Sequence, residues 1–184
     1  MVIYTSDQGF FLGDHGWYDK RFMYEESLRM PFIIKYPRKI QKASVTDAMA
    51  LNVDFAPTLL EFAGIPVPDF MQGDSLVPIL EGTTPENWRT SMYYRYWEHM
   101  SKPHKVCAHY GVRTDRYKLV YYYNEALGMA RAVDIPMEPE WELFDLEKDP
   151  MEMTNRYSDP EYASVVSDLK DELQRLKSDL KDDE

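Results

Sequence analysis

The sequence predicts two regions of different class. The front is α/β, part of a larger parallel or mixed sheet; the back is α+β, a small antiparallel sheet covered by a C-terminal helix. Three observations carry this. Residues 2–6 and 31–36 are short apolar runs without polar alternation, as in strands buried on both faces. After Thr90, aromatic and β-branched runs follow one another across short polar breaks, the pattern of consecutive antiparallel strands. Beyond Asp159, apolar residues recur at spacings of three and four, as on one face of a helix.

Residues 2–6 end in Asp7 and Gln8, and PFIIKY (31–36) reads as the next strand. The residues between them are enough for a crossover connection, which would make the pair parallel. Asp7 and Gln8 would then lie at the carboxyl end of a strand, where open α/β sheets hold ligands. Two strands do not complete such a sheet, so its neighbours are expected from sequence outside these 184 residues. Met1 running straight into a core-type strand reads as a truncation.

A basic connector (37–50) leads to Asp54, expected to cap a helix whose apolar side is Phe55, Leu59, Leu60 and Phe62. Pro57 falls in its first turn, and Gly64 with Pro66 stops it. Residues 65–90 are a proline-rich connection with a short helical stretch at 76–80, and the boundary between regions 1–86 and 87–184 is placed near Asn87. The back strands are SMYYRYWEH, KVCAHYGVRT, DRYKLVYYY and ELFDL. Asp159 then caps a helix with Pro160 at its first position. Tyr162, Val166, Leu169, Leu173, Leu176 and Leu180 form its apolar side, a single helix docked on the sheet rather than a coiled coil. Residues 181–184 are expected to fray.

Hydrophobic residues make up 44% and aromatic residues 14%, enough apolar surface to offset the entropy of ordering. The net charge is −11, with +2 on residues 1–45 and −13 on the rest, which argues against a nucleic-acid partner while leaving an anionic substrate open. Cys107 is the only cysteine, so neither an intrachain disulfide nor a cysteine zinc cluster can form. No apolar run reaches membrane-spanning length, and the compartment is left open.

The chemistry concentrates in residues 2–36. Asp7 and Gln8 are adjacent oxygen donors of the kind that bind hard cations such as calcium or magnesium. A glycine-punctuated loop then carries Asp14, His15, Asp19, Lys20 and Arg21. Each alone also fits a strand-end turn or a solvated loop. In order they say more. TSDQGFFLGDHGWYDKRFMYEESLRMPFII resembles the sulfatase pattern, within the alkaline-phosphatase superfamily: a strand ending in Ser-Asp-Asn/His/Gln-Gly, an LGxHG turn, then a lysine before a helix and a VPLII-type strand. NVDFAPTLLEFAGIP resembles the family's DxxPTLLxxAG helix, and ELFDLEKDPMEMTN its ELYDLxxDPxExxN entry to the last helix.

The resemblance implies that Asp7 and Gln8 are calcium ligands and that Lys20 binds a sulfate oxygen. It places His15 near the site, as a proton-transfer group or substrate contact, and makes His109 a candidate substrate contact beside its bland reading as a histidine within a sheet. The family's C-x-P-x-R motif, source of its formylglycine nucleophile, and its amino-terminal acidic metal ligands are absent. Cys107 lacks the motif's proline, and Ser101-Lys102-Pro103-His104-Lys105 has lysine for arginine and lies downstream of the metal segment. The resemblance therefore implies the carboxyl-terminal part of a calcium-dependent sulfatase for a sulfated carbohydrate or related ester. Such a part would be inactive alone and partnered by the N-terminal part of the same protein, where the formylglycine is expected. Two alternatives stand beside it. One is a phosphonate monoester or phosphodiester hydrolase fragment. The other is a carbohydrate-binding module using Tyr93, Tyr94, Tyr96, Trp97 and Tyr121 to Tyr123.

Overall fold

The computed structural model describes residues 1–182. The chain forms two compact units, Met1–Asp7 with Pro31–Thr90, and Gln8–Met30 with the chain from Ser91 onward.

In the first unit β1 (Val2–Thr5) pairs with a later strand, Phe32–Lys35. The pair is antiparallel, Thr5 opposite Phe32 and Val2 opposite Lys35, which corrects the parallel pairing expected from the connection length. The intervening chain is not a crossover helix: its one α-helical turn, α1 (Glu25–Leu28), belongs to the other unit. Phe32–Lys35 is β2. With its sheet neighbours expected from outside these residues, β1 presents an exposed apolar face, as its pattern and the incomplete sheet together imply. Val2, Tyr4 and Ile33 share one face and are 67%, 64% and 64% exposed. The apolar pattern calls for a cover that the described residues do not supply.

A 3-10 turn at Asn52–Asp54 leads into α2 (Phe55–Phe62). Asp54 does not cap α2 with its side chain. Its buried carboxylate accepts from the Leu51 and Asp74 amides at 2.8 and 2.9 Å and from both terminal nitrogens of Arg89, fastening three loops at one point. Gly73 is required here, because a Cβ would stand 2.1 Å from the Val53 carbonyl oxygen. The helix buries Pro57 and Thr58 and exposes Leu59, so its inward face is not the one the leucines marked. The short helical stretch forms α3 (Val77–Leu80).

The second unit is built on the antiparallel meander β3 (Ser91–Tyr96), β4 (His109–Thr114), β5 (Tyr117–Tyr122) and β6 (Glu140–Asp145), in sequence order. Asp159 accepts from the Glu161 amide and opens a 3-10 turn that runs into α4 (Ala163–Asp179). Alternation along the strands gives the sheet two faces. One bears Val112, Leu119 and Leu143, which pack with Tyr162, Leu169 and Leu173. Asp182 is not frayed: it binds the Tyr93 hydroxyl and the Arg95 guanidinium. The fraying expected of Asp183 and Glu184 lies outside the described residues.

The other face carries residues 22–28. Met23 packs with Val120 and Tyr122 beside Phe22, Leu28, Met92 and Tyr94. Gly111 on β4 makes the room: a Cβ there would lie 2.7 Å from Met23 Sδ and 2.4 Å from the Leu119 carbonyl oxygen. Beside this contact sits a buried charge node. Lys118 Nζ, wholly shielded from solvent, reaches Glu152 Oε1 at 2.6 Å and Glu25 Oε1 at 3.0 Å. Arg113 Nη2 adds 3.2 Å to Glu25 Oε2, and Glu152 Oε2 accepts from the Glu25 amide at 2.7 Å. Burial raises the Glu152 carboxyl, with Lys118 offsetting part of that. For Glu25 burial also raises, but Lys118 and Arg113 outweigh it and hold the carboxyl below its ordinary value.

Removing one partner of a buried ion pair leaves an uncompensated charge. Lys118→Met is expected to lower unfolding free energy by about 3–5 kcal/mol in urea titrations. Adding Glu25→Gln and Glu152→Gln should restore part of it. A Lys118→Met chain as stable as the parent would show that the node does not fasten this segment.

Candidate functional site

The segment from Gln8 to Met30 is shaped by side-chain and backbone anchors more than by regular structure. The Gly9 amide donates to the Ser27 carbonyl at 2.8 Å, and a Cβ on Gly9 would stand 2.1 Å from the Glu26 carbonyl oxygen, so only glycine lets the chain lie against α1. Phe11 is fully buried and its amide donates to the Asp19 carbonyl at 2.8 Å. Gly13, at φ 120°, turns the chain into the 3-10 turn Asp14–Gly16 that carries His15 at φ 52°.

Gln8 and Lys20 meet at Ser27. The Ser27 hydroxyl, fully buried, accepts from Gln8 Nε2 at 2.8 Å and donates to the Lys20 carbonyl at 2.8 Å. Gln8 Nε2 also approaches the Tyr94 hydroxyl at 3.4 Å, and Tyr94 donates to the Arg21 carbonyl at 3.0 Å. With the nitrogen so engaged, the oxygen is the end that Gln8 turns away from Ser27 and Tyr94. The Lys20 amide donates to Asp19 Oδ1 at 2.6 Å, while Arg21 Nη1 at 2.9 Å and His104 Nδ1 at 2.7 Å engage the same carboxylate. Burial raises the Asp19 carboxyl, but the Lys20 amide, His104 and Arg21 outweigh it, holding the carboxyl below its ordinary value. Asp7, exposed, closes the first unit just after β1.

His15 is not brought to Gln8 or Lys20 by any of these bonds. Its ring lies over Tyr24, centroids 4.6 Å apart, and its Nε2 is 3.7 Å from Glu26 Oε2, both atoms buried and neither within hydrogen-bond distance of a partner. Tyr24 and Tyr122 both donate to Glu142, at 3.1 and 2.9 Å to Oε2; burial raises the Glu142 carboxyl. His109 is fully buried among Phe22, Tyr94, Tyr96 and Tyr122, with Nδ1 donating to the Cys107 carbonyl at 2.7 Å. Its Nε2 is buried without a partner.

Ser27 and Glu26 are the site neighbours that sequence reasoning missed, while Tyr94 and His104 stand out in the sequence only for other reasons, a carbohydrate surface and a near-miss motif. Ser27 and Glu26 sit in an ordinary helical turn, so no signal marked them. Among the described residues no three His, Cys, Asp or Glu side chains converge on a metal position. Asp7 and Gln8 are hard oxygen donors that suit calcium as part of a larger ligand set.

Residues 13–179 match the family described as N-sulphoglucosamine sulphohydrolase, C-terminal. The chain belongs to the sulfatase family. It is similar to an N-acetylglucosamine-6-O-sulfatase of Bacteroides thetaiotaomicron, 47% identical over all of this chain and 31% of that protein. It is also similar to an arylsulfatase of Clostridium perfringens, 33% identical over 92% of this chain and 32% of that protein. A protein solved in complex with its substrate D-glucosamine-2-N,6-O-disulfate superposes with a TM-score of 0.88 and 47% identity over 99% of this chain and 35% of its own. The phosphonate monoester hydrolase of Agrobacterium radiobacter gives 0.79 and 28% identity over 96% of this chain and 34% of its own. The chain thus spans about a third of the length of the curated sulfatases it matches, and corresponds to their C-terminal part. No helix among the described residues is long and apolar enough to cross a membrane.

Burial pulls the His109 imidazole down to about 4. A histidine in the unfolded chain titrates near 6.5, so the folded state resists this proton. Stability from neutral His109 is full above about pH 6.5 and is lost as pH falls toward 4. Imidazole NMR should show His109 neutral, with its proton on Nδ1, throughout pH 5–8. A midpoint near 6.5 would contradict the enclosure described.

Proposed function

We propose that this chain is the C-terminal part of a calcium-dependent sulfuric ester hydrolase acting on a sulfated carbohydrate. Residues 1–86 belong in this reading to the catalytic α/β domain and 87–184 to the C-terminal subdomain. The observation that carries it is the Ser27 hydroxyl, which ties the Gln8 amide and the Lys20 backbone to one buried point. A metal-ligand candidate and an anion-binding candidate are thereby held by one anchor, in a chain whose relatives are sulfatases.

In this reading Asp7 and Gln8 hold calcium with ligands from outside the chain; the ion supplies positive charge beside the sulfate oxygens. Lys20 binds a sulfate oxygen and stabilises charge developing there. His15 moves a proton at, or contacts, the leaving group, with Glu26 beside it. A substrate contact by His109 requires the rings that enclose it to move aside, and belongs to the proposal on that condition. The nucleophile, a formylglycine, is expected in the N-terminal part of the protein, so this chain alone is inactive. A sugar sulfated at the 6-position of glucosamine is the substrate class that the relatives favour. Hydrolysis of a phosphonate monoester is the second reading, supported by the likeness to the Agrobacterium enzyme.

In a full-length protein containing this chain, Lys20→Ala is expected to lower kcat/KM on a 6-sulfated glucosamine by about 100- to 1,000-fold. Asp7→Asn and Gln8→Ala should weaken calcium binding in calorimetry. Faster turnover of phenylphosphonate esters than of sulfate esters would favour the second reading. The isolated 184-residue chain should turn over neither, and activity there that Lys20→Ala abolishes would overturn the fragment reading.

A further inference from the structure

Two buried polar atoms in the segment from Gln8 to Met30 have no partner but each other. His15 Nε2 and Glu26 Oε2 stand 3.7 Å apart, both shielded from solvent and neither hydrogen-bonded. Left unpaired, each would lose its hydration with nothing in return. An ionised carboxylate only accepts, so the pair is satisfied when the imidazole carries its proton on Nε2. With water shut out, the attraction across that gap is stronger than in bulk solvent. Nδ1 is then the ring nitrogen left to serve a ligand, and it is not among the enclosed atoms.

Both side chains are held from behind. His15 lies at φ 52° between Gly13 and Gly16 at φ 120° and 74°, in a turn closed by the Gly16 amide on the Gly13 carbonyl at 3.0 Å and the Trp17 amide on the Asp14 carbonyl at 2.9 Å. Its ring is bounded by Tyr24 at 4.6 Å and, edge-on, by Phe11 at 6.0 Å. Tyr24 is tethered in turn by its hydroxyl to Glu142. Glu26 is the middle of three consecutive residues of α1: Glu25 meets Lys118, and Ser27 meets Gln8 and the Lys20 carbonyl. Fixing both neighbours fixes the backbone from which Glu26 reaches His15.

We propose that Glu26 is the positioning residue of His15: its carboxylate keeps one imidazole proton on Nε2, so that Nδ1 is the nitrogen that serves the leaving group. This rests on the proton-transfer reading of His15 given above. The doubly protonated ring gives its Nδ1 proton to the leaving oxygen, which takes the electron pair of its broken bond to sulfur; the ring is left neutral, its remaining proton facing Glu26. A carboxylate behind an imidazole orients the ring without itself receiving the proton.

Nitrogen NMR of the 184-residue chain, at a pH where the ring is neutral, should show the His15 proton on Nε2. Glu26→Gln, whose oxygen still accepts, should keep that tautomer, and Glu26→Met should lose the preference, with the fold checked by circular dichroism. A proton on Nδ1 in the parent, or an unchanged tautomer in Glu26→Met, would overturn the pairing. In a full-length protein containing this chain, Glu26→Met should lower kcat/KM on a 6-sulfated glucosamine by about 10- to 100-fold, and Glu26→Gln by less. 4-Nitrophenyl sulfate, whose leaving group departs without a proton, should be spared most of that loss. Equal losses on the two esters would mark a merely structural role and overturn the assignment. Sugar-sulfate turnover untouched by His15→Ala would instead overturn the proton-transfer reading, which the tautomer measurement does not depend on.

Discussion

The shielded ammonium of Lys118 is the interaction on which the arrangement of the second unit depends. Residues 8–30 contain one 3-10 turn and one α-helical turn, too little backbone pairing to set their own shape. Their position comes from Glu25 meeting Lys118 and Arg113, and from Glu152 receiving the Glu25 amide while sharing the same ammonium. Desolvating three or four charges contributes little net stability; replacement by apolar residues of equal volume is often neutral. What such a node supplies is selectivity. A slip of the segment along the sheet would strand a buried charge, whereas a slip across an oily surface costs little.

The two faces of the meander divide the labour accordingly. The α4 face is packed from leucine, valine and tyrosine. Its opposite bears Arg113, Lys118, Glu142 and His109, with Met23 seated over Gly111. Alternation along β4 and β5 is enough to send these two sets to opposite sides. The apolar face anchors the unit and the polar face orients what lies on it.

Much of this was legible in the sequence. The four back strands, the Asp159 start of the last helix and the ordered motif of Asp7, Gln8, His15 and Lys20 follow from periodicity, cap chemistry and resemblance. The β1–β2 direction did not, because two dozen intervening residues serve a crossover or a long excursion equally well. The exposed apolar face of β1 was legible too, because a both-faces-apolar strand with only one partner in these residues must leave a face uncovered. Asp54 looked like a side-chain cap of α2 because two of the partners its carboxylate joins, Asp74 and Arg89, are 20 and 35 positions away. Ser27 was invisible for the opposite reason: a serine in a helical turn carries no mark of the two polar groups it joins.

The sequence separations inside the Lys118 node bear on the order of assembly. Glu25 meets Arg113 across 88 positions and Glu152 across 127, whereas β4 and β5 join through a two-residue turn. Closing the longer loops costs more chain entropy before any contact is gained, so the β4–β5 hairpin is expected to form before residues 8–30 dock. Until they do, Lys118 remains hydrated on an open sheet face. Docking of that segment then carries with it the burial of a charge, and the residues proposed to meet substrate take their final positions in the same step.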